Sequence, residues 1–385
     1  FFMLEQFLEQ VDDGSRQVIF LDELPWLDTP RSGFMTAFEG FWNTWGCHRD
    51  NLMVVVCGSA NSWILDNLIN NHGGLYNRVT YEIKLSPFNL RECEEFYQNY
   101  NIRLSRYDIV QSYMILGGVP FYMGYFQSGK SLAQNIDNLF FSKQGKLKDE
   151  YNRLFASIFT NPEFMQKIVK LLYTRNAGYT RKELIEKLDV KDGGNLSQSL
   201  NALIVSDFVI KYLPFGKGEK ERYKLVDSFC MFYLHFVDGK KQVNPDFWKQ
   251  NVTAQSVVSW RGFAYENVCF QHIDQIKKAL GISGVITTQS AWSKRGEDSD
   301  GTQIDMLISR NDNVVNMCEI KYYGDTFEVD KRYYRVLLHR QEELAKQLSP
   351  KISIHNTLIT TFGLHYNEYS GFFTNVLTLD DLFAE

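Results

Sequence analysis

Short apolar runs alternate with helical stretches over the first 86 residues. Residues 18 to 21 (Val-Ile-Phe-Leu) and 52 to 57 (Leu-Met-Val-Val-Val-Cys) are strand-length and lack a polar face, the pattern of a parallel sheet covered on both sides. Residues 87 to about 150 lose such runs and read as helices, broken at Gly117-Gly118 and Pro120. Between 164 and 226 the order is a helix, a helix over 180–188, a helix over 195–205, then two strand-like runs around Pro214 to Gly218. Beyond 255 the periodicity predicts a helix over 263–279, strands near 302–309 and 313–321, a helix over 327–347 and a strand at 357–361, a second α/β unit.

Composition narrows the class. A chain of 385 residues predicts two or three domains, and 44% apolar with 23% charged residues excludes collagen-like and disordered chains. No apolar run approaches the roughly 20 residues needed to cross a bilayer, so no membrane span is expected. Six cysteines without a CxxC pair, and no basic-then-apolar leader, suit reduced thiols in cytoplasm. The net charge of -5 hides contrast: residues 1 to 100 carry -8 and residues 160 to 225 carry +4. The histidines show no HExxH or paired spacing, so no zinc site is expected. Residue 1 is Phe, and FFMLEQFLEQ reads as the middle of a helix, so the natural N-terminus is expected to lie upstream.

Chemistry first enters at Asp22-Glu23, where an apolar strand runs out into two carboxylates. Ligands bind at the carboxyl ends of parallel strands. In a nucleotide hydrolase the first acid holds Mg2+ and the second orients or deprotonates the attacking water; the alternative is a strand exit merely solvated by acids. About 35 residues on, the second strand ends in Gly58-Ser59-Ala60-Asn61, small polar groups placed beside those acids.

Gly73-Gly74-Leu75-Tyr76-Asn77-Arg78, Lys84 to Phe88 and Leu116 to Pro120 follow. With the acidic strand end, this run over residues 16 to 125 resembles the archaeal-type AAA+ ATPases. The resemblance implies that Asp22 and Glu23 are the Walker B acids, Ser59 or Asn61 is sensor 1, Gly117 to Pro120 starts the lid, and ATP and Mg2+ are the cofactors. Arg78 would stabilise phosphate charge, in a neighbouring subunit of a homo-oligomer; its alternative is a surface ion pair.

That family cradles phosphate on a GxxxxGK loop ahead of Walker B, at a helix N-terminus. No such loop occurs among the 21 residues before Asp22, in keeping with an upstream N-terminus. A literal match occurs later, from Gly124 through Gly129-Lys130-Ser131, but it follows a helix break and no strand. It reads as a surface turn that starts a helix over 132–140.

The order of elements from 164 to 226 is that of a winged helix, which puts its third helix in the major groove and its wing on phosphates. Lys217, Lys220, Arg222 and Lys224 cluster in the wing. The third helix, Asn-Leu-Ser-Gln-Ser-Leu-Asn over 195–201, has no Arg or Lys to read guanine. Contact with the DNA backbone and a role as a protein-packing spacer both remain open.

In the last zone Asp305 sits in a strand, and Glu319 and Lys321 share one face of the next by period-two geometry, with Cys318 and Ile320 turned to the core. Glu266 lies on the preceding helix. Mg2+ held by Asp305 and Glu319 would acidify a water, with Lys321 positioning the hydroxide. This helix-Glu, strand-Asp, Glu-x-Lys order resembles the PD-(D/E)XK nucleases, which implies such a fold with or without cleavage. Trp292, Lys294 and Arg295 are expected in a loop, touching nucleic acid or, for Trp292, capping the sheet. Arg332, Arg335 and Arg340, on the helix after Lys321, either track a nucleic-acid backbone or, by default, solvate that face.

The expectation is an α/β multidomain chain: a P-loop NTPase-type parallel sheet core (1–86), a helical lid (87–155), a winged helix (156–250) and a restriction-endonuclease-like α/β domain (251–385). Its function would be an AAA+ type ATPase coupled to a Mg-dependent nuclease-like domain acting on DNA. The alternative is a non-catalytic, nucleotide-gated switch or scaffold whose C-terminal domain binds partners or DNA without cutting.

Overall fold

The computed structural model describes residues 1–384 apart from 30, 60, 70–72, 217, 241–243 and 295–301. It is a mixed α/β structure of two compact units, one formed by residues 1–85, 152–166 and 192–208, the other by 86–151, 167–191 and 209–385.

In the first unit β1 (Gln17–Leu21) pairs in parallel with β2 (Leu52–Val56), Gln17 opposite Leu52 and Leu21 opposite Val56. β-branched and aromatic residues favour these strands, and alternate side chains take opposite faces. Ile19, Leu21, Val54 and Val56 pack on a core built from Leu24, Phe38, Phe41, Leu68 and Leu75. The helix Phe34–Thr44 supplies Phe34, Phe38 and Phe41 at helical spacing, and Phe1 stacks on Phe41 with ring centroids 5.0 Å apart. The opposite face corrects the expectation of a sheet covered on both sides: Val18 (58%), Phe20 (60%) and Met53 (50%) are exposed.

The second unit opens with the helices Leu90–Asn99 and Arg106–Leu116. The first is closed by a capping box between Asn89 and Glu92, the second started by Ser105. Gly117 ends the Arg106 helix in the left-handed region. Gly118 (φ +70) then brings its carbonyl within 2.9 Å of Phe88 N, so close that a Cβ would stand 2.2 Å from Phe88 O. The expected helix break is therefore a backbone-to-backbone contact that only glycine allows. The GK-containing turn follows the short helix Pro120–Met123, not a strand, and Ser131 caps the helix Leu132–Ile136.

A three-stranded antiparallel sheet holds β3 (Tyr179–Thr180), β5 (Arg222–Leu225) and β4 (Val209–Tyr212) in that order. The turn between β4 and β5 is anchored near its start. Phe215 packs on the C-terminal core, and its N–H donates to Ala291 O at 3.1 Å.

The C-terminal five-stranded sheet has the order β10-β9-β8-β7-β6. β6 (Thr287–Lys294), β7 (Thr302–Arg310) and β8 (Val314–Lys321) form an antiparallel meander; β9 (Ser353–Thr360) and β10 (Asn375–Leu377) then run parallel to β8. The helix Gln255–Gln271 packs against β8, and Lys331–Ala345 against β7. The long helix expected over 263–279 is two helices meeting at His272. Trp292, expected in a loop, belongs to β6 and is buried in the core at a register shift between Ser290 and Trp292. Arg295 and the side chain of Lys294 lie outside the described residues.

Candidate functional site

At the end of β1 the chain turns sharply. Glu23 occupies the left-handed region (φ 47, ψ 53), uncommon for a residue with a side chain. Leu24 N donates to Cys57 O at 2.8 Å, and Cys57 N to Leu21 O at 3.1 Å, lacing the two strand ends together. Gly58 makes room for this turn, since a Cβ there would lie 2.7 Å from Pro25 Cδ. The result aims Glu23 across to the next strand: its Oε2 accepts from Ser59 N at 3.1 Å and from Ser59 Oγ at 3.0 Å. Asp22 is exposed and accepts from Cys57 Sγ at 2.8 Å, a hydrogen bond that, with burial, pushes the Cys57 thiol up.

Asp22, Glu23 and Ser59 therefore converge. Asn61 begins a short helix, Asn61–Ile64, but its side chain lies outside the described residues. Arg78 sits exposed on a turn whose backbone is tied to Leu75, and among the described residues no hydrogen bond or ion pair joins it to Asp22 or Glu23. Mg2+ keeps several waters and takes one or two carboxylates beside phosphates, a demand the exposed Asp22 carboxylate fits. Residues 1–21 hold no glycine-rich loop for the triphosphate of ATP.

The second cluster lies at the C-terminal sheet. Asp305 and Glu319 stand one step beyond the last paired register of β7 and β8, Met306 opposite Cys318. Asp305 Oδ2 accepts from Ile320 N at 3.1 Å. Glu319 is only 4% exposed, and both of its oxygens are engaged. Lys321 Nζ lies 2.5 Å from Oε1, Arg340 Nη1 donates to Oε2 at 2.6 Å, and the Tyr333 hydroxyl donates to Oε1. Cys318 and Ile320 are buried as expected, but so is the Glu319 face, and the sheet is covered on both sides here. Glu266 Oε2 accepts from Asn176 Nδ2 at 3.0 Å.

Electrostatics bind these groups together. Burial, then the neighbouring Glu319, pushes the Asp305 carboxyl up to about 6. Burial, then Asp305, pushes Glu266 up to about 7. Burial works the same way on Glu319, but Lys321 and Arg340 outweigh it and hold that carboxyl below its ordinary range. Lys224, 6% exposed with its Nζ 4.9 Å from the Phe270 ring centroid, is brought down to about 8 by burial, against the attraction of Glu266 and Asp305.

Several sequence expectations change here. Lys224 is not a wing residue facing DNA but an interior amine near Glu266, its Nζ over the ring of Phe270 on the Gln255–Gln271 helix. Arg222 pairs with Glu219 at 3.6 Å, Lys220 is exposed, and Lys217 lies outside the described residues. Arg340 does not solvate a helix face but closes on Glu319, while Arg332 and Arg335 are exposed. Sequence reasoning missed Tyr333 and Asn176; Tyr333 and Arg340, seven residues apart, share one helix face, and that spacing was the available signal.

Divalent-cation binding at this second cluster meets a poor fit. Glu319 has no oxygen unengaged, and among the described residues no three His, Cys, Asp or Glu side chains gather to hold a metal ion. The three acids Glu266, Asp305 and Glu319 are instead matched in charge by Lys224, Lys321 and Arg340.

Fold and sites together define a mixed α/β protein with acids gathered at two strand ends. No protein-family profile matches the chain, and no curated protein matches it. Among solved structures, a Walker-type ATPase of Pyrococcus abyssi is similar, with 17% identity over 60% of this chain and 65% of that one and a TM-score of 0.40. The match thus spans less than two thirds of that chain. Among the described residues no helix is long and apolar enough to cross a membrane.

Proposed function

We propose that the protein is a nucleotide-hydrolysing switch of the AAA+ type, whose C-terminal sheet is a nuclease-like domain that binds without cutting. The adjacency of Glu23 and Ser59 at neighbouring parallel strand ends carries the first half of this reading. In it Asp22 would hold Mg2+, which neutralises phosphate charge when bound, and Glu23 would orient the attacking water from a position fixed by Ser59. Phosphate release from ATP, wild type against Glu23→Gln, tests the role; equal rates abolish it.

For the C-terminal domain, the helix, three-strand meander, helix and parallel strand support a PD-(D/E)XK-like reading, and the saturated Glu319 carboxylate supports binding over cleavage. A second reading, Mg-dependent cutting of DNA, is favoured by the gathering of Glu266, Asp305, Glu319 and Lys321 in one cluster. Incubating plasmid and branched DNA with Mg2+ or Mn2+ separates the two. Cutting that disappears in Asp305→Ala would establish the second reading and end the first.

A further inference from the structure

Two segments of the second unit, 96–104 and 120–148, carry Arg103, Lys130, Lys143, Lys146 and Lys148 against a single acid, Asp137. That acid is buried, and its two oxygens accept from the backbone N–H groups of Trp248 and Lys249 at 2.7 and 3.2 Å. All five cations are exposed, and among the described residues none of them is ion-paired. A chain of net charge -5 thus holds two segments whose exposed residues include no acid.

Packing brings the two together. Tyr97 stacks on Phe126 with ring centroids 5.4 Å apart, and Ser128 Oγ donates to Asn101 O at 2.8 Å, so Tyr100 and Arg103 border the turn that carries Lys130. The loop of Lys143, Lys146 and Lys148 reaches the same region, with Lys146 Nζ 4.5 Å from the centroid of the Tyr125 ring. Its backbone is pinned: Leu147 N donates to Leu139 O at 3.0 Å, and a Cβ on Gly145 would stand 2.6 Å from that same oxygen. The loop is therefore set before any partner arrives, which lowers the cost of binding.

Exposed rings accompany the charge. Phe121 is 63% exposed and meets Tyr125 edge to face at 5.1 Å; Tyr100 is 61% exposed and stacks on Phe96 at 4.5 Å. Cations suit phosphates, and free rings suit bases, whose π-faces stack on them whatever the sequence. In a duplex those faces are closed off by neighbouring pairs. An acidic peptide answers the charge but brings no planar group at each step. Between the rings the exposed residues are Gly124, Gln127 and Ser128, groups that hydrogen-bond rather than enter lipid.

We propose that this face binds single-stranded nucleic acid, its phosphates on the five cations and its bases on Phe121 and Tyr100. It needs neither a nucleotide nor a metal at the acid clusters, so its failure and that of the proposed function are separate results.

The probes are a fluorescein-labelled oligodeoxythymidine of about 16 nucleotides and an oligouridine of the same length. Fluorescence anisotropy at about 50 mM salt should show micromolar binding of at least one strand, the tighter naming the sugar. Affinity should fall with salt at a logarithmic slope of about -3.5, the value five phosphate contacts give on a single strand. Phe121→Ala, at an exposed ring and so mild for folding, should weaken binding about tenfold and leave that slope unchanged. Lys143→Gln, Lys146→Gln and Lys148→Gln combined should reduce the steepness of the slope by about 2. A duplex of equal length should bind about tenfold more weakly than the strand. Equal or tighter binding of the duplex, either variant indistinguishable from wild type, or capture of phosphatidylserine vesicles in place of both strands would each overturn the assignment.

Discussion

Arg340 reaches from the helix Lys331–Ala345 to Glu319 on β8 and donates to its Oε2 at 2.6 Å, on the side of the carboxylate opposite Lys321. Removing one partner of a buried ion pair strands the other's charge, at about 3–5 kcal/mol. Arg340→Met should therefore destabilise the second unit by about 3 kcal/mol, since Lys321 still serves Glu319. Adding Glu319→Gln to that variant should restore part of the loss. Urea unfolding of the single and double variants measures both; a single variant as stable as wild type contradicts the role of the pair.

Glu266 and Asp305 predict an unusual pH profile. Their folded values lie above the unfolded ones, so the folded chain holds more protons between about 4 and 7, and stability falls as pH rises through that window. Lys224, lowered to about 8, has the opposite consequence: the unfolded chain holds its proton longer, and stability rises from about 8 towards 10. Other groups titrate in the same ranges: buried thiols such as Cys318, pushed up by burial, lower stability as pH rises above about 9, and His272, brought down to about 4 by burial, opposes the acid limb, so each contribution is read as a difference between wild type and variant. Glu266→Gln should flatten the acid limb and Lys224→Met the basic one, as read from unfolding midpoints at stepped pH. Profiles of wild type and variant that stay parallel across both windows would refute this account.

The strand-end site makes a graded prediction. Glu23→Gln should lower phosphate release from ATP by about 10²-fold, the usual contribution of a positioned acid or base. Ser59→Ala should cost less, about tenfold, because it loosens Glu23 without removing it. An inverse ranking, with Ser59→Ala the more damaging, would assign the direct role to Ser59.

Two glycines with similar backbones should respond differently. At Gly118 an added Cβ meets Phe88 O at 2.2 Å, whereas at Gly129 (φ +78) it meets nothing within 4 Å. Gly129→Ala should cost about 1 kcal/mol from its left-handed backbone alone. Gly118→Ala should cost well over about 2 kcal/mol, because the Phe88 contact must open as well. Differential scanning calorimetry of the two variants checks the ranking.

Elements dictated by local pattern were legible in the sequence. Val-Ile-Phe-Leu and the strands bearing Asp305 and Glu319 announce themselves by period and β-branching, and Glu-x-Lys puts two groups on one face whatever surrounds them. Partners that arrive through tertiary packing were not. Nothing in the spacing of Lys224 and Glu266, or of Asn176 and Glu266, signals that they meet, and a basic residue in a wing looks identical from sequence whether it faces solvent or the interior. Trp292 sits in a run of small polar residues whose strand state comes from pairing with β7, not from its own propensity. Exposure of Val18 and Phe20 was equally hidden, because an apolar run says that a strand can be covered, not that it is.

The attachment of Phe215 to Ala291 has a further consequence. β6 is the last strand of its sheet, and an outermost strand presents unpaired backbone groups to which another polypeptide can add. By donating to Ala291 O, the turn between β4 and β5 occupies part of that border with the protein's own chain. Its aromatic anchor thus guards the solubility of the folded protein, and loosening it would invite strand-by-strand aggregation.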